Sequence, residues 1–175
     1  MILLILIAAI VIIGIGLTIY LGERVEKVVP HLESRTPFKV VSIDDKSVTV
    51  STTIEFRNEG TQSAMIVDAI CHPLLPFEQY DGFDVRGKAE REGVPREDDY
   101  FEALVIEHQQ SVKLVAIVTL TARKGLTLQE AAADMVDFPV EFIYREVGRT
   151  PMHWSIARVF LTAEELKRLV KEGLS

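Results

Sequence analysis

Few side chains in this sequence stand where chemistry would need them. The four histidines, His31, His72, His108 and His153, are scattered, and no H-E-x-x-H or paired Cys/His spacing occurs. A zinc site needs three or four converging ligands, and only Cys71 and His72 adjoin. Neighbours along a strand point to opposite faces, so these two do not share a metal. Cys71 would act as a nucleophile only beside a group that lowers its pKa. No cysteine-hydrolase signature surrounds it, and no G-x-S-x-G elbow frames any serine. The expectation is a buried thiol, a turn histidine, no catalytic residue, no metal and no cofactor.

The segment 78–99 holds what remains. Asp81 and Asp84, with Glu97, Asp98 and Asp99, could offer oxygen ligands, but the D-x-[DN]-x-[DN]-G spacing of a calcium loop is absent. Arg86, Lys88, Arg91 and Arg96 offset the acidic charge, which predicts a solvated, salt-linked loop. Phe77, Tyr80, Phe83, Tyr100 and Phe101 flank it. Such rings either pin a loop to its domain or form an exposed surface for a protein partner, and these five are the candidate partner-binding residues. The alternative is an enzyme with its site between this loop and the domain edge, using Asp81, Asp84 or His72.

The elements that would hold these residues are strands. Val48, Val50, Thr52, Ile54 and Phe56 alternate with Thr49, Ser51, Thr53 and Glu55, the pattern of a half-buried strand rich in β-branched residues. The Asn58-Glu59-Gly60-Thr61 run supplies a turn. Similar reading gives strands over 38–43, 48–56, 63–71, 101–106, 112–122, 138–144 and 152–161, the last with the sole tryptophan, Trp154. Capping-box spacing at Thr127-Glu130 and Thr162-Glu165 opens a short inserted helix and a C-terminal helix. Gly82, Gly87, Gly93 and Pro95 make 78–99 a long surface loop, with one edge strand near 83–86. The fold class expected is mainly β: an antiparallel immunoglobulin-like β-sandwich of about seven strands over 37–175.

Residues 2–21 carry no charge and would rise about 30 Å as a helix, the hydrocarbon thickness of a bilayer. A cleaved signal peptide would need a basic n-region, a shorter core and a small-residue cleavage site, none of which is present. Residues 1–21 therefore read as a retained single-pass transmembrane anchor. Gly14, Thr18 and Gly22 fall on one stripe, a spacing that allows a weak homodimer through the anchor. Residues 22–36 read as a stalk in which Val25, Val28, Val29 and Leu32 continue the helix until Pro30 breaks it. Arg24, Lys27, Arg35 and Lys39 follow the anchor and favour a cytoplasmic domain. Anchored sandwich domains by analogy face outward, and an extracytoplasmic placement is adopted.

All charged residues lie after the anchor, for a net charge of −7. An acidic domain without a basic patch repels phosphate backbones, which argues against nucleic-acid binding. The run Thr52-Thr53-Ile54-Glu55-Phe56-Arg57-Asn58-Glu59-Gly60-Thr61-Gln62-Ser63-Ala64 resembles the second and third strands of bacterial membrane-anchored immunoglobulin-like envelope domains, with their apolar-x-apolar-x-Asn-x-Gly hairpin. The run Val105-Ile106-Glu107-His108-Gln109-Gln110-Ser111-Val112-Lys113-Leu114 is similar to their apolar-x-Pro-Gly-Gln hairpin, with His108-Gln109 in place of Pro-Gly. The resemblance implies a sandwich used for binding or scaffolding in a cell-envelope complex, and it carries over no catalytic residue.

Overall fold

The computed structural model describes residues 1–22, 25–98 and 100–174. Glu23 and Arg24 of the flanking charges and Asp99 of the acidic cluster lie outside the described residues. Helix α1 (Ile2–Gly22) has no buried residue. It is long and apolar enough to cross a membrane. Its hydroxyl is satisfied internally, with Thr18 Oγ1 donating to the Gly14 and Ile15 carbonyls at 3.0 and 2.8 Å.

Nine strands follow: β1 (Val28–His31), β2 (Lys39–Ile43), β3 (Ser47–Asn58), β4 (Ala64–Pro73), β5 (Phe83–Arg91), β6 (Leu104–Ile106), β7 (Ser111–Ala122), β8 (Phe138–Val147) and β9 (His153–Leu161). One antiparallel sheet runs β1-β3-β7-β5, with β2 also on β3, and the other runs β6-β4-β8-β9. The orders β1-β3-β7-β5 and β4-β8-β9 match the A-B-E-D and C-F-G strands of immunoglobulin domains, with β6 added beside β4. The fold is thus an immunoglobulin-like sandwich. Its inner faces are the expected alternating residues: Val48, Val50, Ile54 and Phe56 of β3 against Phe138, Val140, Phe142 and Tyr144 of β8, all buried. Phe56 meets Phe142 and Tyr144 with ring centroids 5.3 and 5.2 Å apart, bridging the two strands that antibody domains join by a disulfide. Helix α2 (Leu128–Ala133) starts at a complete capping box on Thr127 and Glu130, and α3 (Ala163–Gly173) is capped by Thr162. Both bury their apolar residues in the same core.

Two expectations are corrected. The stalk over 22–36 is not a continued helix: Val28–His31 pairs with β3 from Val28↔Asn58 to His31↔Glu55. Valine spacing suits a helix or an extended edge, and Pro30 decides against the helix while being tolerated on an edge strand. The sheet therefore begins before the domain start expected at residue 37. The long loop over 78–99 is largely β5, paired with β7 from Phe83↔Ala122 to Arg91↔Leu114. Its inner face, Phe83, Val85, Gly87 and Ala89, loses bulk at Gly87 because β5 crosses so close to β4 that a Cβ there would overlap the Cys71 carbonyl.

The chain that leaves α1 is bound into one end of the sandwich. The Thr61 amide donates to the Val25 carbonyl at 2.8 Å, and the Glu59 amide donates to the Lys27 carbonyl at 2.8 Å. Glu26, 7 % exposed, accepts from the Arg149 amide at 3.0 Å, the Thr150 amide at 2.8 Å and the Thr150 hydroxyl. Burial opposes the charged form of Glu26, yet these hydrogen bonds hold its carboxyl down at about 2. Glycines make the room: a Cβ at Gly60 would overlap the backbone of residues 25–27, and one at Gly148 would overlap the Glu26 carboxyl. Fully buried Asn58 completes this end. Its Oδ1 accepts from the Lys27 and Gly60 amides, and its Nδ2 donates to the Gln62 and Ile106 carbonyls.

Candidate functional site: the outer face of the four-stranded sheet

The two sheets present unlike outer faces. On the five-stranded sheet the outward positions of β3 and β5 carry hydroxyls and charges, including Thr49 opposite Thr119 and Arg86 beside Asp84, with half-buried Val115 and Ile117 of β7 between them. On the four-stranded sheet the central ones are apolar. The register Ile70↔Ile143↔Ile156 sets three isoleucines in a row across β4, β8 and β9. Trp154 lies two residues to one side along β9, and Phe160 lies toward the other end. Ile70, Trp154, Ile156 and Phe160 are each 52–56 % exposed, as is Val105 on β6 at 51 %. An antiparallel sheet ordinarily turns polar residues to water on its solvent side. Among the described residues no helix covers the face, since α2 and α3 bury their apolar residues in the core.

The polar residues on this face neutralise one another. Arg158 donates from Nε to Glu141 Oε1 at 3.0 Å, and Nη2 makes a second bond to the same oxygen. A β-bulge in β4 between Val67 and Ile70 places Asp68 at φ +52°. There Asp68 Oδ2 lies 3.0 Å from Arg145 Nη1, and the Arg145 guanidinium lies 4.5 Å from the centre of the Trp154 ring. This half-exposed pair contributes little stability. Its effect is geometric, holding one side of the indole against the sheet. The outcome is a largely apolar surface on which Arg158 is paired with Glu141 and Arg145 with Asp68.

The residues singled out from sequence are not gathered into one site. Phe83 is fully buried and Phe101 is in the core, whereas Phe77 and Tyr100 are exposed. Tyr80 is half-buried and donates its hydroxyl to the Ala131 carbonyl, which pins the start of the segment to α2. The expected shared aromatic surface is thus divided between pinning and exposure. The residues of the enzyme alternative also separate. His72 is exposed on the outer face of the four-stranded sheet, while Asp84 is on the outer face of the other sheet, 3.8 Å from Arg86. Asp81 pairs with Lys124 at 2.6 Å. A cleft of about 310 Å³ does lie beside this segment, lined by Arg96, Tyr100, Phe101 and Glu102 among others. Its charges are paired, with Arg96 bound to Asp98 at 2.7 Å and to Glu102 at 3.1 Å. Cys71 is buried, and burial pushes its thiol up to about 12.

Sequence reasoning missed the isoleucine row, although a signal for it exists. In β9, Trp154, Ile156 and Phe160 alternate with Ala157, Val159 and Leu161, so the strand is apolar on both faces. In an antiparallel sheet that pattern marks a face in need of cover.

No protein-family model matches the chain, and no curated protein matches it. Solved structures similar to it include the GAE domain of GGA2p from Saccharomyces cerevisiae, at 8 % identity and a TM-score of 0.35, covering 79 % of this chain and 99 % of that one. The yeast GGA1 GAE domain aligns at 7 % identity and a TM-score of 0.32, covering 73 % and 98 %. The fold assignment rests on the strand connectivity and not on these alignments.

Proposed function

We propose that this chain is a single-pass membrane protein whose sandwich is a non-enzymatic binding module, taking a protein partner on the outer face of the four-stranded sheet within a cell-envelope complex. The observation that carries this reading is the uncovered row Ile70, Ile143 and Ile156, flanked by Phe160. Covering a half-exposed isoleucine returns about 1 kcal/mol, so a partner burying the row and its flank gains several kcal/mol before losses on association. The length and composition of α1 support the anchor. The domain is placed outside the cytoplasm by analogy with other anchored sandwiches.

Site-specific photo-cross-linking in native membranes tests the docking face. A photoreactive residue at Ile156 is expected to give one discrete adduct, abolished by Ile143→Lys. The same residue at Arg86, on the opposite outer face, is expected to give none. Equal adducts at both positions, or none at Ile156, would remove the reading.

A further inference from the structure

We propose that the end of the sandwich carrying the β8–β9 turn rests on the bilayer surface, with Met152 and Trp154 in the lipid headgroup layer. This rests on the reading of α1 as a membrane-crossing helix. The argument is one of length. At about 1.5 Å per residue, α1 spans roughly the 30 Å hydrocarbon core with no spare turns, so Gly22 emerges at the edge of the headgroups. From Gly22 to Val25 there are three peptide steps, at most about 11 Å. The headgroup layer on each side is about 5–8 Å deep. Val25 is already hydrogen-bonded to the sandwich through Thr61, and Glu26 is clamped on Arg149 and Thr150. The sandwich end is therefore held within about 6 Å of the headgroup layer.

The residues exposed at that end suit the place. Met152 lies two positions beyond Thr150 and is 56 % exposed, and Trp154 is 53 % exposed. An indole is at home among headgroups, being apolar in body with one polar tip. Arg149 is exposed on the same turn, a guanidinium suited to lipid phosphates, while Arg145 covers the Trp154 ring and pairs with Asp68. Glu146, the nearest carboxylate on β8, is buried, accepting from the Ser155 hydroxyl at 2.6 Å and the Val28 amide at 3.4 Å. Gly60 and Gly148 keep the entering chain flush with this end instead of looped away from it.

Trp154 is the only tryptophan, so its emission reports this position without labelling. The full chain is reconstituted into phosphatidylcholine vesicles, with or without a nitroxide on the choline headgroup, and the vesicles are recovered by flotation. The expected result is at least about twofold quenching of Trp154 by the headgroup nitroxide. Insertion of about twelve Gly/Ser residues between Gly22 and Glu23 leaves the folded domain intact and lengthens the tether, and it is expected to abolish the quenching. A chain that fails to float with the vesicles overturns the anchor reading and this proposal together. A chain that floats with equal emission in both vesicles overturns this proposal alone. So does quenching that survives the insertion, because the tether would not be its cause.

Discussion

Glu26 is the residue on which the junction between α1 and the sandwich turns. A buried carboxylate is costly unless its oxygens are satisfied, and here three donors from Arg149 and Thr150 satisfy it. Glu26→Ala is expected to lower stability by about 2–4 kcal/mol, since it leaves two turn amides without partners. The same geometry sets a pH response. The folded carboxyl titrates at about 2 against an ordinary 4.5. The unfolded chain therefore binds the extra proton between these values. The stabilisation is full above pH 4.5 and is lost as pH falls toward 2. Denaturant titrations from pH 6 to pH 2.5 should show Glu26→Gln with a shallower acid decline than the parent chain.

At the scale of elements, β1 fills the edge of β3 that β2 leaves open. Residue 36 joins the two, its amide donating to the Thr53 carbonyl at 3.0 Å and its hydroxyl accepting from the Thr53 amide at 2.8 Å. A soluble chain beginning at residue 25 retains β1 and the Glu26 clamp, whereas one beginning at 36 exposes the 55–58 edge. The shorter chain is expected to melt at least about 10 °C lower in calorimetry and to aggregate through the open edge. How well each element could be read follows from the same physics. Strands β3, β7 and β8 were readable because one face of each is fully buried and the other is not, which writes period two into the sequence. Strand β1 was not, because Val25, Val28, Val29 and Leu32 fit a helical spacing equally well and only the tertiary edge distinguishes the two. Strand β5 was legible only at its start, because its inner face passes from Phe83 and Val85 to the small Gly87 and Ala89, where the alternation weakens. The candidate site was hidden for a different reason. Apolar residues on both faces of β8 and β9 signify a site only once it is known that no helix covers them.

At the scale of the whole molecule, polarity is distributed by face and by end: hydroxyls and charges prevail on one outer face and isoleucines on the other, and the chain from α1 enters at one end. Which side of the membrane this arrangement occupies can be read with one thiol. Lys46 is exposed in the turn before β3, and Cys71 is buried. A Lys46→Cys, Cys71→Ala chain is expected to react with a membrane-impermeant maleimide in intact cells. Labelling only after lysis would place the domain in the cytoplasm, as the basic residues after the anchor favour.

The closeness of Val25 to Gly22 also bears on how a partner is found. A flexible connector as long as residues 22–36 would let its load wander about 20 Å from the point of attachment. Three peptide steps allow no such search. With α1 in a bilayer, the isoleucine face would travel within a narrow range of heights, and part of the translational freedom usually lost on association would already be gone. Recognition becomes a planar encounter, in which a partner is selected by how far above the lipid it carries its own apolar surface.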